Sequence, residues 1–103
     1  MAADDKTVWT ALRLHHADNV ATALRDLPAG GSPHISDCPA PALCTDIARG
    51  HKFALSPIAA GEQAIKYGQA VGVALSDIAA GEHVHLHNLE GLAGRAERHR
   101  NAS

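Results

Sequence analysis

Bulky aromatic side chains are almost absent from this 103-residue chain, which has one Trp, one Tyr, one Phe and a single Met. Apolar residues still make up 46% of it, because twenty-one are alanine; the large aliphatics are ten Leu, five Ile and five Val. That set fills one thin core, and a domain of this size already buries a modest share of its surface. The composition therefore predicts support from a partner chain or a homo-oligomer. An excess of one charge is also lacking. The formal net charge is -2 and the sequence pI about 6.4, so no broad basic field exists to hold nucleic acid. Only the tail GRAERHR is locally basic, which reads as a solvated end. No run approaches the ~18 apolar residues of a membrane span. The start, MAADDKTVWT, carries acids where a signal peptide has lysines, and no apolar stretch follows, so the chain reads as cytoplasmic. Cysteine is scarce: Cys38 and Cys44 in CPAPALC lack the CxxC spacing of a redox or zinc pair and read as two free thiols. No glycine-rich phosphate loop is present.

What is present is a repeat. HKFALSPIAAGEQAIKYG (51–68) lies over VGVALSDIAAGEHVHLHN (71–88) at an offset of twenty residues, with ALS and IAAGE shared. Each copy predicts a strand–turn–strand unit. Gly61 and Gly81 supply the positive φ of a tight turn, and the residues after each turn alternate as a half-buried strand does. In this pattern Ile65 and Tyr67 share one face and Ala64 and Lys66 the other. In the second copy Val84 and Leu86 oppose His83, His85 and His87. TVWTALRL (7–14) is also strand-like. Between these, Val20, Ala23, Leu24 and Leu27 stand at helical spacing, with Asp18 or Asn19 as N-cap and Pro28, Gly30 and Gly31 as the stop. Residues 28–46 read as loop or weak strand. The expected fold is mainly β with one short α-helix.

The chain resembles a known family in four words that occur in order: HHADNVA, GHKFAL, IKYG and HVHLHN. Across residues 9 to 89 it is similar to the N-terminal SAF domain of altronate and galactarate dehydratases. One departure is His16, where that family usually has proline; the stretch around SDCPAPALC also fits the family poorly. The resemblance implies a β-clip fold, a long folded-over β ribbon, with residues 7–90 as the SAF domain and 91–103 as a polar tail. It also implies a free-standing small subunit that works with a larger dehydratase subunit to remove water from a sugar acid or hydroxy acid. A second member of the family type, sulfolactate sulfo-lyase, releases sulfite instead. A non-catalytic module that binds an acidic carbohydrate or dimerises is the alternative from another class. The family is described as using Fe2+ or Mn2+, and a divalent ion suits such chemistry because it stabilises an enediolate and assists the leaving group.

Within this frame each word has a chemical reading and a plain one. On a strand, side chains two apart lie roughly 6.5–7 Å from each other on one face, so the HVHLHN histidines either converge on an ion or anion, or line a solvent-facing strand. The resemblance favours His85 and His87 as metal ligands and Asn88 as a substrate contact. His15 would stand before a helix start, where N–H groups attract anions, and titrates near neutrality. Together with His51 and Lys66 it is a candidate catalytic residue; a desolvated lysine can act as a base. Asp18, Asn19, Lys52 and Tyr67 are candidate substrate contacts. The plain readings are a cap for Asp18, a surface lysine for Lys66 and a packed ring with a bonded hydroxyl for Tyr67.

Overall fold

A computed structural model describes residues 9–35 and 38–91. Among these residues are seven strands in two antiparallel sheets. Strands β1 (Ala11–Leu12), β2 (Val20–Ala23), β3 (Lys52–Ala54) and β6 (His83–Val84) form one sheet, in the order β1-β2-β3-β6. Strands β4 (Gln63–Lys66), β5 (Gln69–Ala74) and β7 (Leu89–Gly91) form the other, in that order. The mainly β architecture is as expected. Among the described residues no segment is helical, and none could cross a membrane as a helix. The tail beyond Gly91 and residues 7 and 8 lie outside the described residues.

The short helix expected after Asp18 is instead β2. The reason is a strand buried on both faces, which shows no alternation. Val20 packs with Ala54, Ile58, Ala64, Ala74, Ile78 and Val84 in one core, whereas Ala21 and Ala23 pack with Ala11, Leu27, Ile35, Leu43, Ile47 and Phe53 in the other. Val20, Ala23 and Leu27 imitate a helical stripe, but they serve opposite cores, and Leu24 is exposed. β3 is likewise shared, with Phe53 in one core and Ala54 in the other. Two thin cores therefore flank one sheet. Alanine makes this possible: Ala11, Ala21, Ala23, Ala54, Ala64 and Ala74 are all buried, and Phe53 is the one aromatic ring among them.

The turns reveal a repeat of four copies rather than two. DLPAG (26–30), DIARG (46–50), PIAAG (57–61) and DIAAG (77–81) each bury their Leu or Ile and end on a glycine with φ between 83° and 86°. The copies pair across the same twenty-residue offset. Leu27 and Ile47 exchange both backbone hydrogen bonds at 2.8 Å, and so do Ile58 and Ile78. Side chains complete the corners: Asp26 accepts from the Arg49 N–H at 2.9 Å, Asp46 from Ala29 at 2.8 Å and Asp77 from Ala60 at 2.9 Å. Glu62 and Glu82 accept from the N–H three residues earlier, at 2.7 and 2.9 Å. The described part of 28–46, expected as loop or weak strand, therefore holds a built corner. Neither Cys38 nor Cys44 forms a disulfide among the described residues.

The alternation read after each glycine is broken in both copies. In β4 the buried residue is Ala64, while Tyr67 is 60% exposed; a register shift between Ala64 and Ile65 resets the faces. In the second copy β6 ends at Val84, and Leu86 is 79% exposed. His85 to Asn88 form a turn, so His83, His85 and His87 do not share a strand face.

Candidate functional site

Two turns of one design position the residues of interest. In the first, the Asp18 N–H donates to the His15 carbonyl (3.0 Å) while the Asp18 carboxylate accepts from the His15 N–H (3.1 Å). In the second, the Asn88 N–H donates to the His85 carbonyl (3.1 Å) and the Asn88 side-chain oxygen accepts from the His85 N–H (2.9 Å). Such Asx-type closure is a local alternative to helix or ladder hydrogen bonding. HHAD and HLHN are thus the same four-residue device, legible as His-x-x-Asp and His-x-x-Asn.

Asp18 and Asn19 use their polar atoms inside the fold. The buried Asp18 carboxylate also accepts from Leu14 (3.3 Å) and, across the hairpin tip, from Tyr67 (3.1 Å) and Gly68 (2.7 Å). This clamp holds Tyr67 at φ 56°, an uncommon conformation for a residue with a side chain. Asn19 accepts from the Ile65 N–H at 2.6 Å and donates to the Gln63 carbonyl at 2.9 Å. Both residues fasten the β1–β2 connection to β4. Buried Asn88 is similar, since its amide also donates to the His83 carbonyl at 2.7 Å.

The remaining candidates fall into two adjoining groups. At the β4–β5 tip the His15 ring packs so closely on Gly68 that a Cβ there would lie 3.0 Å from it, and His16 stacks on His15 with ring centroids 4.3 Å apart. Beside them the Lys66 ammonium lies 4.9 Å from the centre of the exposed Tyr67 ring. Lys52, half-buried on β3, has its pKa lowered, first by burial and then by the charge of Lys66. The Lys66 charge thus reaches Lys52, and a bound anion would relieve that repulsion.

The second group is made of imidazoles. His51 Nδ1 and His83 Nε2 share a hydrogen bond of 2.9 Å. The His51 ring centroid is 4.8 Å from that of His85, and His83 is 5.3 Å from His85 and 5.4 Å from His87. Burial, then the charges of His51, His85, His87 and Lys52, lowers the pKa of His83. One nitrogen each from His51, His83 and His85 lies within 4.8 Å of the others. His83, set behind His85 and His87 as a ligand in the sequence, is thus central. The missed signal is the pairing of β3 with β6, which sets Phe53 opposite His83 and so brings His51 alongside. His87 stands next to His83 but outside the three-nitrogen group.

Residues 9–92 match the sequence profile of the altronate/galactarate dehydratase SAF domain. The chain belongs to this SAF-domain family. Among curated proteins it is 53% identical over 77 residues to an altronate dehydratase of Escherichia coli (strain K12), and 42% identical over 77 residues to one of Bacillus subtilis (strain 168). Each alignment covers 75% of this chain and 15% of the relative, so this SAF domain corresponds to a small part of those enzymes. It is also 46% identical over 43 residues to the (2R)-sulfolactate sulfo-lyase subunit alpha of Paracoccus pantotrophus, covering 42% of this chain and 64% of that subunit.

Proposed function

We propose that this SAF domain forms one wall of the active site of a lyase that removes water from a sugar acid, with a larger dehydratase subunit supplying the rest. The observation that carries the reading is the 53% identity to an altronate dehydratase over a domain that brings Lys66, Tyr67 and His15 to one hairpin tip, with Lys52 on β3 close enough to feel the Lys66 charge. In this reading Lys52 and Lys66 pair with the substrate carboxylate. That pairing makes the C–H beside the carboxylate more acidic by stabilising the negative charge that develops on it. His15 is then the candidate group for moving that proton and assisting the departing hydroxyl, and Tyr67 flanks the substrate. A divalent Fe2+ or Mn2+ ion belongs to the reading; when bound it would stabilise the enediolate and polarise the leaving group. The enzyme would be cytoplasmic, as befits sugar-acid metabolism.

The test is to mix the purified chain with a large dehydratase subunit and follow loss of water from altronate or galactarate. Association and turnover are expected, with Lys66→Met lowering kcat/KM by about 100-fold, the scale of one lost charge-stabilising contact. No association, or turnover that Lys66→Met leaves unchanged, overturns the reading. The similarity to a sulfo-lyase subunit alpha, most of whose length this domain covers, favours carbon–sulfur cleavage as the second reading. Release of sulfite from sulfolactate by the same mixture would establish it.

A further inference from the structure

We infer that His51, His83 and His85 form a three-imidazole site for one borderline-soft divalent metal ion, held by this chain without a partner. Metal–nitrogen bonds of about 2.0–2.1 Å at ordinary angles place neighbouring ligand nitrogens roughly 3.0–3.4 Å apart. The His51–His83 pair already stands at 2.9 Å, and the third nitrogen lies within 4.8 Å of both, a gap that rotation of the exposed His85 ring closes. Either ring of the pair presents a lone pair at the contact once its N–H moves to the other ring nitrogen.

The backbone under the ligands is braced. Asn88 is 2% exposed, accepts from the His85 N–H and donates to the His83 carbonyl. It thereby fixes two of the three ligands relative to each other, and β3–β6 pairing fixes the third. Asn88 is a positioning residue for the site. The donor set narrows the ion. Three neutral nitrogens suit Zn2+, Co2+, Ni2+ or Fe2+, whereas Mn2+ and Mg2+ prefer carboxylate and water. Three protein ligands also leave positions open for water or an oxygen of an acid ligand, the arrangement of a reactive rather than a purely structural ion. The inference does not depend on the lyase reading: metal uptake is measured without any reaction.

The experiment uses the untagged 103-residue chain and Co2+, read by visible absorption and by titration calorimetry. One Co2+ per chain is expected, with no comparable binding of Mg2+. His85→Ala, at an exposed position chosen to leave folding intact, lowers affinity by at least about tenfold, as do His51→Ala and His83→Ala. His16→Ala and His34→Ala leave affinity unchanged. Asn88→Ala, which removes no ligand, weakens binding about 10- to 100-fold, the usual effect of losing an outer-shell brace. Absence of stoichiometric binding by the wild-type chain overturns the site, and so does full affinity in His85→Ala and His51→Ala. A chain that binds no Co2+ but supports water elimination with a large subunit would refute this site and leave the lyase reading intact.

Discussion

Gly61 and Gly81 offer a matched pair of substitutions. Each closes the word IAAGE, and their φ values are 86° and 84°. An alanine at either position carries the same left-handed penalty, about 1–2 kcal/mol, partly offset by about 0.4–1 kcal/mol from restricting the unfolded chain. Their surroundings differ. A Cβ on Gly61 meets nothing within 4 Å, whereas one on Gly81 would overlap the Ala42 carbonyl oxygen and lie 3.2 Å from Leu43 Cα. These are backbone atoms of the corner that runs into buried Leu43 and Ile47, and they are held in place because the Cys44 N–H donates to the Gly81 carbonyl at 3.0 Å. Overpacking of that kind adds about 1–3 kcal/mol. Gly61→Ala should therefore destabilise by about 1 kcal/mol and Gly81→Ala by about 3 kcal/mol. At about 4–8 °C per kcal/mol for a domain near this size, the two melting temperatures should differ by roughly 8–16 °C. Thermal unfolding followed by far-ultraviolet circular dichroism measures this directly. Equal losses in the two variants would refute the close approach of the two corners.

Three further outcomes are expected. Asp18→Ala strands the Tyr67 and Gly68 N–H groups and should destabilise by about 3 kcal/mol, with Asp18→Asn losing about half as much because one oxygen acceptor remains; urea unfolding of both variants checks this. Lys52→Met should raise the melting temperature at pH 7. The folded protein holds the Lys52 pKa below its ordinary 10.5, so in that region the unfolded chain binds more protons and wild-type stability rises with pH; the gain from Lys52→Met should shrink as pH approaches 10.5. Gly68→Ala, at φ 71° and 3.0 Å from the His15 ring, should displace that ring, seen as a shifted His15 imidazole resonance with the His83 resonance unmoved.

The four family words lay open in the sequence, and with them the β fold. What stayed hidden traces to β2. A strand buried on both faces has no period of two, and VATAL gave a helical stripe instead. Reading that stretch as helix also concealed DLPAG as a corner and thus the first of the four copies. Gly30 and Gly50 lie at the same twenty-residue offset as Gly61 and Gly81, so the signal was present but masked by the Pro28 and Gly31 that looked like a helix stop. The site was legible in its residue types and not in its grouping. His51 and His83 are 32 positions apart, and only the pairing of β3 with β6 makes them neighbours. Conversely, Asp18, Asn19 and Asn88 look like ligand-binding residues in a sequence, because the short polar side chains that contact substrates are the same ones that close turns.

The buried alanines have a consequence for the entropy of folding. A leucine or isoleucine loses about 0.5–1 kcal/mol of rotamer freedom when it is buried, and an alanine loses none. The six alanines on the shared strands and their neighbours thus bury less surface but demand no side-chain ordering, which is how two cores this thin can flank one sheet. The same property makes the domain intolerant of growth. With no rotamer to change, an added methyl group at Ala21, Ala54 or Ala74 can be accommodated only by moving a sheet.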